Sequence, residues 1–157
     1  MFFKKIPIRS FIDHRGSLDK LYNNEKFFKV KQVVHLINPK KFTFRGIHWQ
    51  ASPYLEKKLV YCIKGEIIDI SVDMRKSSKT FGKYKLIKLN EKSNFGVLIG
   101  KGFGHAIFTL KRDTHVIYFS NSTYSKKFSR GLRYNDKKLK LKLPAKPKLI
   151  SIQDKSW

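Results

Sequence analysis

Acidic residues are scarce in this 157-residue chain: 11 Asp and Glu stand against 35 Lys and Arg, for a formal net charge of +24. A balance of that size disfavours cationic ligands and favours anionic ones, whether phosphate esters, nucleic acid or acidic membranes. The lysines are spread through nearly every segment rather than gathered into a tail. The charge therefore reads as composition, and a dedicated nucleic-acid surface is not expected. Cysteine is nearly absent. The single thiol, Cys62, excludes an intrachain disulfide, and its apolar setting in "LVYCI" marks a buried, inert side chain rather than a nucleophile. No apolar run approaches a membrane span, and "MFFKKIPIRSF" lacks the hydrophobic stretch of a signal peptide, so a cytoplasmic protein is expected. Sustained helical periodicity is missing as well.

What is present is hydrophobic enough to fold. Apolar residues make up 41% of the chain and aromatics 14%, which argues against disorder despite 29% charged residues. The length suits one domain over residues 1–157, with no linker and no internal repeat. Short β-branched and aromatic runs recur ("VKQVVHLI", "KLVYCIKGEIIDISVDM", "YKLIKL", "FGVLIG", "THVIYFS"), separated by turn-rich clusters such as "NPKK", "RKSSKTFGK" and "NEKSN". That spacing predicts an all-β sandwich or jelly roll with little helix. In "GEIIDISVDM", Ile68, Ile70 and Val72 alternate with Asp69, Ser71 and Asp73, which predicts an apolar face and a polar face. Gly100, Gly102 and Gly104 predict a tight, close-approach loop. After Pro144 the chain looks basic and irregular.

One stretch carries chemistry. In "FTFRGIHWQ", residues 42–50, Phe42 and Phe44 alternate with Thr43 and Arg45 before Gly46, and Ile47 then precedes His48. This is a strand with ionisable groups on one face. A jelly roll with histidines suggests a metal site, but such sites usually need an HxH pair, a carboxylate and a later histidine. The residue two beyond His48 is Gln50. Only His48 and His105, of five histidines, lie in strand-and-glycine contexts, so no metal is expected. The remaining chemical use for an inward imidazole is as a general base.

The blocks "FRGIHWQ", "KKLVYCIKGEIIDISVDMRKSSKTFGKY", "GKGFGHAIFTL", "VIYFSNSTYS" and "LRYND" follow one another in order. Together they resemble the dTDP-4-dehydrorhamnose 3,5-epimerases, whose strands read RGLHxQ, GKLVRxxxGEVxDVxVDxRxxSPTFGxW, GFAHGF and WND. The resemblance runs from about Phe11 to Asp154. It implies a cupin-type jelly roll, usually a homodimer, acting without metal or other cofactor on a nucleotide-diphosphate sugar. The implied reaction inverts C3 and C5 of a dTDP-4-keto-6-deoxyhexose in deoxysugar biosynthesis. By the same resemblance His48 is the base, Asp154 in "LISIQD" its carboxylate partner, and Tyr118 the acid on the opposite face. Lys58 and His105 stabilise the enolate, Arg15 and Arg45 grip the diphosphate, and Tyr124 stacks on the nucleotide base. Gln50, which closes the RGIHWQ motif, counts among the substrate-binding residues. Gly65, Asp69, Asp73, Arg75 and Gly82 match the family as fold positions, and Asn135 and Asp136 as a turn cap.

The chain departs from the family's pattern at several places. Lys57 replaces a glycine before the catalytic lysine, Lys101 replaces an acid, and His35 stands where an asparagine is expected. "SLDKLY" after "DHRG" lacks the usual aromatics and glutamate, placing Asp19 or Lys20 near the nucleotide or a neighbouring subunit. Three alternatives accompany the epimerase. The first is a single-site 3- or 5-epimerase. The second is a 3,4-ketoisomerase, a group that shares "RGSL" (Arg15 to Leu18) but generally lacks RGLHxQ and GKLV. The third is a non-enzymatic jelly roll that binds an anionic glycan or nucleic acid.

Overall fold

The computed structural model describes residues 2–22 and 27–157. Within them the β-branched and aromatic runs become strands: β1 (Phe3–Pro7), β2 (Arg9–Asp13), β3 (Gly16–Lys20), β4 (Gln32–Asn38), β5 (Thr43–Gln50), β6 (Lys58–Lys64) and β7 (Glu66–Asp73). There follow β8 (Tyr84–Asn90), β9 (Phe95–Ile99), β10 (Phe103–Thr109), β11 (Thr114–Ser120), β12 (Ser129–Gly131), β13 (Leu149–Ile150) and a short helix α1 (Ile152–Ser156). One sheet has the order β1-β9-β6-β11-β4, the other β12-β5-β10-β7-β8, and β13 joins β5 in parallel. The inner faces meet in a core to which β6, β9 and β11 bring Val60, Cys62, Val97, Ile99 and Val116. From the other sheet come Ile67, Leu89, Phe103 and Ile107. This is the all-β jelly roll that the strand spacing and the family resemblance predict.

The polar face expected on β7 is not a wet one. Asp69, Ser71 and Asp73 are fully buried, because their side of the strand looks into the barrel. The Ile70 and Val72 side is covered in turn by the segment from Leu132 to Ile150, which lies across the outside of the sheet. Along it Leu139, Leu141, Leu143 and Ala145 turn toward the sheet while Lys138, Lys140, Lys142 and Lys146 are exposed. Leu139 is buried there, which contributes roughly 1.5–3 kcal/mol, and the partly buried side chains beside it add less each to fasten the segment. Both faces of β7 and β10 are thus covered, which explains why a period-two pattern misreads exposure here.

That segment ends in α1, a helix where irregular chain is expected. Ser151 caps it, its hydroxyl accepting from the Asp154 amide at 3.0 Å. Ser151 and Asp154 form the S-x-x-D pattern of a helix start, a signal present in the sequence. Asp73 accepts from Arg75, Ser78 and Thr80 and so builds the turn after β7, while Asp136 accepts from the amides of Lys138 and Leu139. The β2–β3 hairpin is a sheet of its own, and every residue in its two strands is exposed.

Candidate active site

Strand β5 answers why Arg45 and His48, three residues apart, share a face. Its pairing with β10 shifts register between His105 and Ile107, opposite Gly46. Gly46 has φ +117°, and a Cβ there would lie 2.5 Å from the His105 carbonyl oxygen and 2.7 Å from the Ala106 Cβ. Only glycine fits that close, left-handed position. The irregularity resets the alternation, so Thr43 and Arg45 before it and His48 after it all line one cavity of about 490 Å³.

Asp154 reaches this cavity from α1. Its Oδ1 lies 2.6 Å from His48 Nε2, and its Oδ2 accepts the Gly46 amide at 3.0 Å. Burial alone pushes its carboxyl upward, but the hydrogen bonds from His48 and the Gly46 amide together with the His48 charge outweigh it and hold it below the usual carboxylate range. In the neutral imidazole an ionised Asp154 accepts a hydrogen bond from Nε2–H, leaving Nδ1 as the basic nitrogen of His48.

The opposing sheet supplies the facing wall. Lys58 begins β6 and Tyr118 lies in β11, both lining the cavity. The Lys58 ammonium sits 5.5 Å from the Tyr118 ring centre and 2.8 Å from Glu56. Burial, and next the Glu56 charge, raise the Tyr118 phenol above its ordinary value, so it stays protonated. His105 pairs directly with His48 across the β5–β10 ladder, and its Nε2 lies 2.7 Å from the buried Asp69. Asp69 is therefore more than a fold position: it orients a cavity histidine, a role that the strand pattern alone did not reveal.

The other predicted site residues divide. Arg45 lines the cavity with its Nε donating to Asn38 at 2.7 Å. Gln50 and Tyr124 line an adjoining space of about 170 Å³ that shares His48, Lys58 and Tyr118 with the first. The Gln50 amide is engaged at both ends, donating to the Thr123 carbonyl at 3.1 Å and accepting the Ser125 amide at 2.7 Å. It thus fixes the loop bearing Tyr124, which is 60% exposed. Arg15 is elsewhere, at the tip of the β2–β3 hairpin, paired with Asp13 at 2.6 Å and absent from both cavity walls. Among the described residues no group of three or more His, Cys, Asp or Glu converges as a metal site would require.

A sequence model described as dTDP-4-dehydrorhamnose 3,5-epimerase matches residues 3–157. The chain belongs to the dTDP-4-dehydrorhamnose 3,5-epimerase family. A relative from Shigella flexneri bearing that name is 35% identical over 150 residues, covering 92% of this chain and 83% of the relative. A Streptomyces protein named dTDP-4-dehydro-6-deoxyglucose 3-epimerase is 29% identical over 92% of this chain and 77% of its own. The Bacillus anthracis dTDP-4-dehydrorhamnose 3,5-epimerase, solved with TDP and pyrophosphate bound, superposes with a TM-score of 0.91 at 30% identity, covering 97% of this chain and 90% of that one.

Within this epimerase-family fold the departures fall mostly outside the cavity. His35 lies on the outward face of β4, hydrogen-bonded to His115 at 3.1 Å, and Lys101 is exposed in the β9–β10 turn. Lys57 turns away from Lys58, its ammonium donating to the Phe27 carbonyl at 3.3 Å. No helix among the described residues is long and apolar enough to cross a membrane.

Proposed function

We propose that this chain is a nucleotide-sugar epimerase that inverts C3 and C5, the carbons flanking the C4 ketone, in a dTDP-4-keto-6-deoxyhexose. The observation that carries the proposal is a single cavity walled by His48 with Asp154 on one side and by Tyr118 with Lys58 on the other. A proton beside a ketone is weakly acidic because the carbanion delocalises onto oxygen. Inversion then needs a base on one face, an acid on the opposite face, and charge at the oxygen. His48 Nδ1 removes the proton, Lys58 and His105 stabilise the enolate oxygen, and the Tyr118 phenol returns a proton from the far side. Arg45 faces the same space with a fork suited to phosphate oxygens. The TDP bound to the Bacillus anthracis relative supports a thymidine-linked substrate.

Arg15 enters this scheme only through a second copy. The β2–β3 hairpin shows Phe11, Ile12 and Leu18 at 45%, 81% and 58% exposure, a surface that an isolated hairpin does not keep in water. We propose a homodimer in which the hairpin leans on its neighbour and brings Arg15 to the neighbour's diphosphate. The test is incubation with dTDP-4-keto-6-deoxyglucose in deuterated water, followed by NMR. The wild type is expected to place deuterium at C3 and C5 of an inverted product. Tyr118→Phe is expected to exchange deuterium into recovered substrate while inversion falls by roughly 10²-fold or more. A wild type that exchanges nothing, or a Tyr118→Phe variant that inverts at full rate, would refute the assignment.

A further inference from the structure

We infer that Glu56 is a positioning residue of this centre, its carboxylate fixing the Lys58 ammonium beside Tyr118 on the acid's wall of the cavity. The inference rests on the epimerase proposal above. Glu56 and Lys58 are two residues apart where the chain runs extended into β6, so their side chains fall on the same side, and both line the space shared with Tyr118. Oε1 of Glu56 lies 2.8 Å from the Lys58 ammonium. The two side chains are only 13% and 12% exposed, whereas the lysines paired with Asp113 and Glu66 are more than half exposed.

That burial decides what the pair is for. An exposed ion pair adds little stability and needs no function. Glu56 fixes the Lys58 ammonium in the cavity wall and aims it. It also offsets the effect of that cation on the phenol: an unaccompanied ammonium 5.5 Å from the Tyr118 ring favours the phenolate, which cannot donate. The carboxylate's influence on Tyr118 acts the other way, in keeping with its raised phenol. The other charged or titratable groups facing Tyr118 are Arg45 and His48 of β5, His105 of β10 with Asp69 behind it, Asp154 of α1 and, in the adjoining space, Tyr124 of the loop after β11. All of them are unchanged by a substitution at Glu56. From β4 come only Gln32 and Leu36, which carry no charge.

The experiment measures inversion of dTDP-4-keto-6-deoxyglucose against pH for the wild type, Glu56→Gln, Lys58→Met and the double variant. Glu56→Gln is expected to lower kcat at neutral pH about tenfold and to move the alkaline limb down by roughly one unit, leaving the acid limb in place. In the Lys58→Met background the same substitution is expected to cost nothing further in kcat at neutral pH, since the cation it aims is gone. Should Glu56→Gln fail to fold, the double variant against Lys58→Met still decides, because replacing both members of a buried pair is well tolerated. A Glu56→Gln profile identical to wild type, or an equal further loss in the Lys58→Met background, would overturn the inference. A wild type inactive on this sugar would instead overturn the epimerase proposal.

Discussion

Asp154→Asn probes the centre with almost no change of shape. The carboxylate accepts two donors, His48 Nε2 at 2.6 Å and the Gly46 amide at 3.0 Å. An asparagine keeps one acceptor and gains a donor. The Gly46 amide cannot give up its proton, so the favoured rotamer turns the carbonyl to Gly46 and the NH2 to His48. Nε2 must then accept, which moves the imidazole proton to Nδ1, the atom proposed as the base. Keeping the working tautomer instead sets the NH2 against the Gly46 amide, donor to donor, at roughly 1–3 kcal/mol for the unmet bonds. At 1.4 kcal/mol per decade, only about one molecule in ten to one in a hundred then holds a competent base. Loss of the negative charge also removes stabilisation of the imidazolium that forms as the proton leaves carbon. Together these predict a fall of about 10²- to 10⁴-fold in kcat, with little change in KM. The assay is the initial rate of deuterium incorporation, with circular dichroism to show the variant folded. A folded Asp154→Asn enzyme exchanging at the wild-type rate would refute the tautomer assignment and the role of Asp154 with it.

Two further outcomes follow from the same structure. Gly46→Ala forces a side chain into left-handed backbone and against the His105 carbonyl 2.5 Å away, so a loss of about 3 kcal/mol or more is expected, lowering Tm by roughly 6–12 °C in a thermal melt; an unchanged Tm would contradict the packing at that crossing. Burial pushes both the Cys62 thiol and the Tyr61 phenol up to about 12, above ordinary values of about 8.5 and 10. Above pH 8.5 the unfolded chain then sheds protons that the native chain keeps, so stability falls as pH rises toward 12. Cys62→Ala is expected to flatten the first part of that decline, near pH 8.5–10, in denaturant titrations; an identical slope would count against a buried thiol.

Much of the barrel was legible in the chain because its strands are bounded by turn chemistry and rich in β-branched residues. His48, Lys58, His105 and Tyr118 could be placed because each lies inside a motif with fixed spacing. Three things resisted, each for a physical reason. The β7 pattern predicted one apolar and one polar face, but alternation reports only that two faces differ and not which is wet, and here a distant segment covers the apolar one while Asp69 turns inward to His105. The helix carrying Asp154 is five residues long, too short for periodicity, and only its Ser151 cap announces it. Arg15 belongs to a hairpin whose two strands are exposed along their whole length, so no packing pattern in the sequence ties it to the cavity.

The route by which Asp154 arrives separates closure of the barrel from competence. His48 belongs to the sheet itself, whereas its carboxylate comes from 106 positions further on, along a lysine-studded ribbon laid over the outside. A newly made or refolding molecule can therefore assemble its walls and still hold an idle imidazole. Turnover should be the last property to return after denaturation, appearing when the ribbon docks rather than when the strands pair.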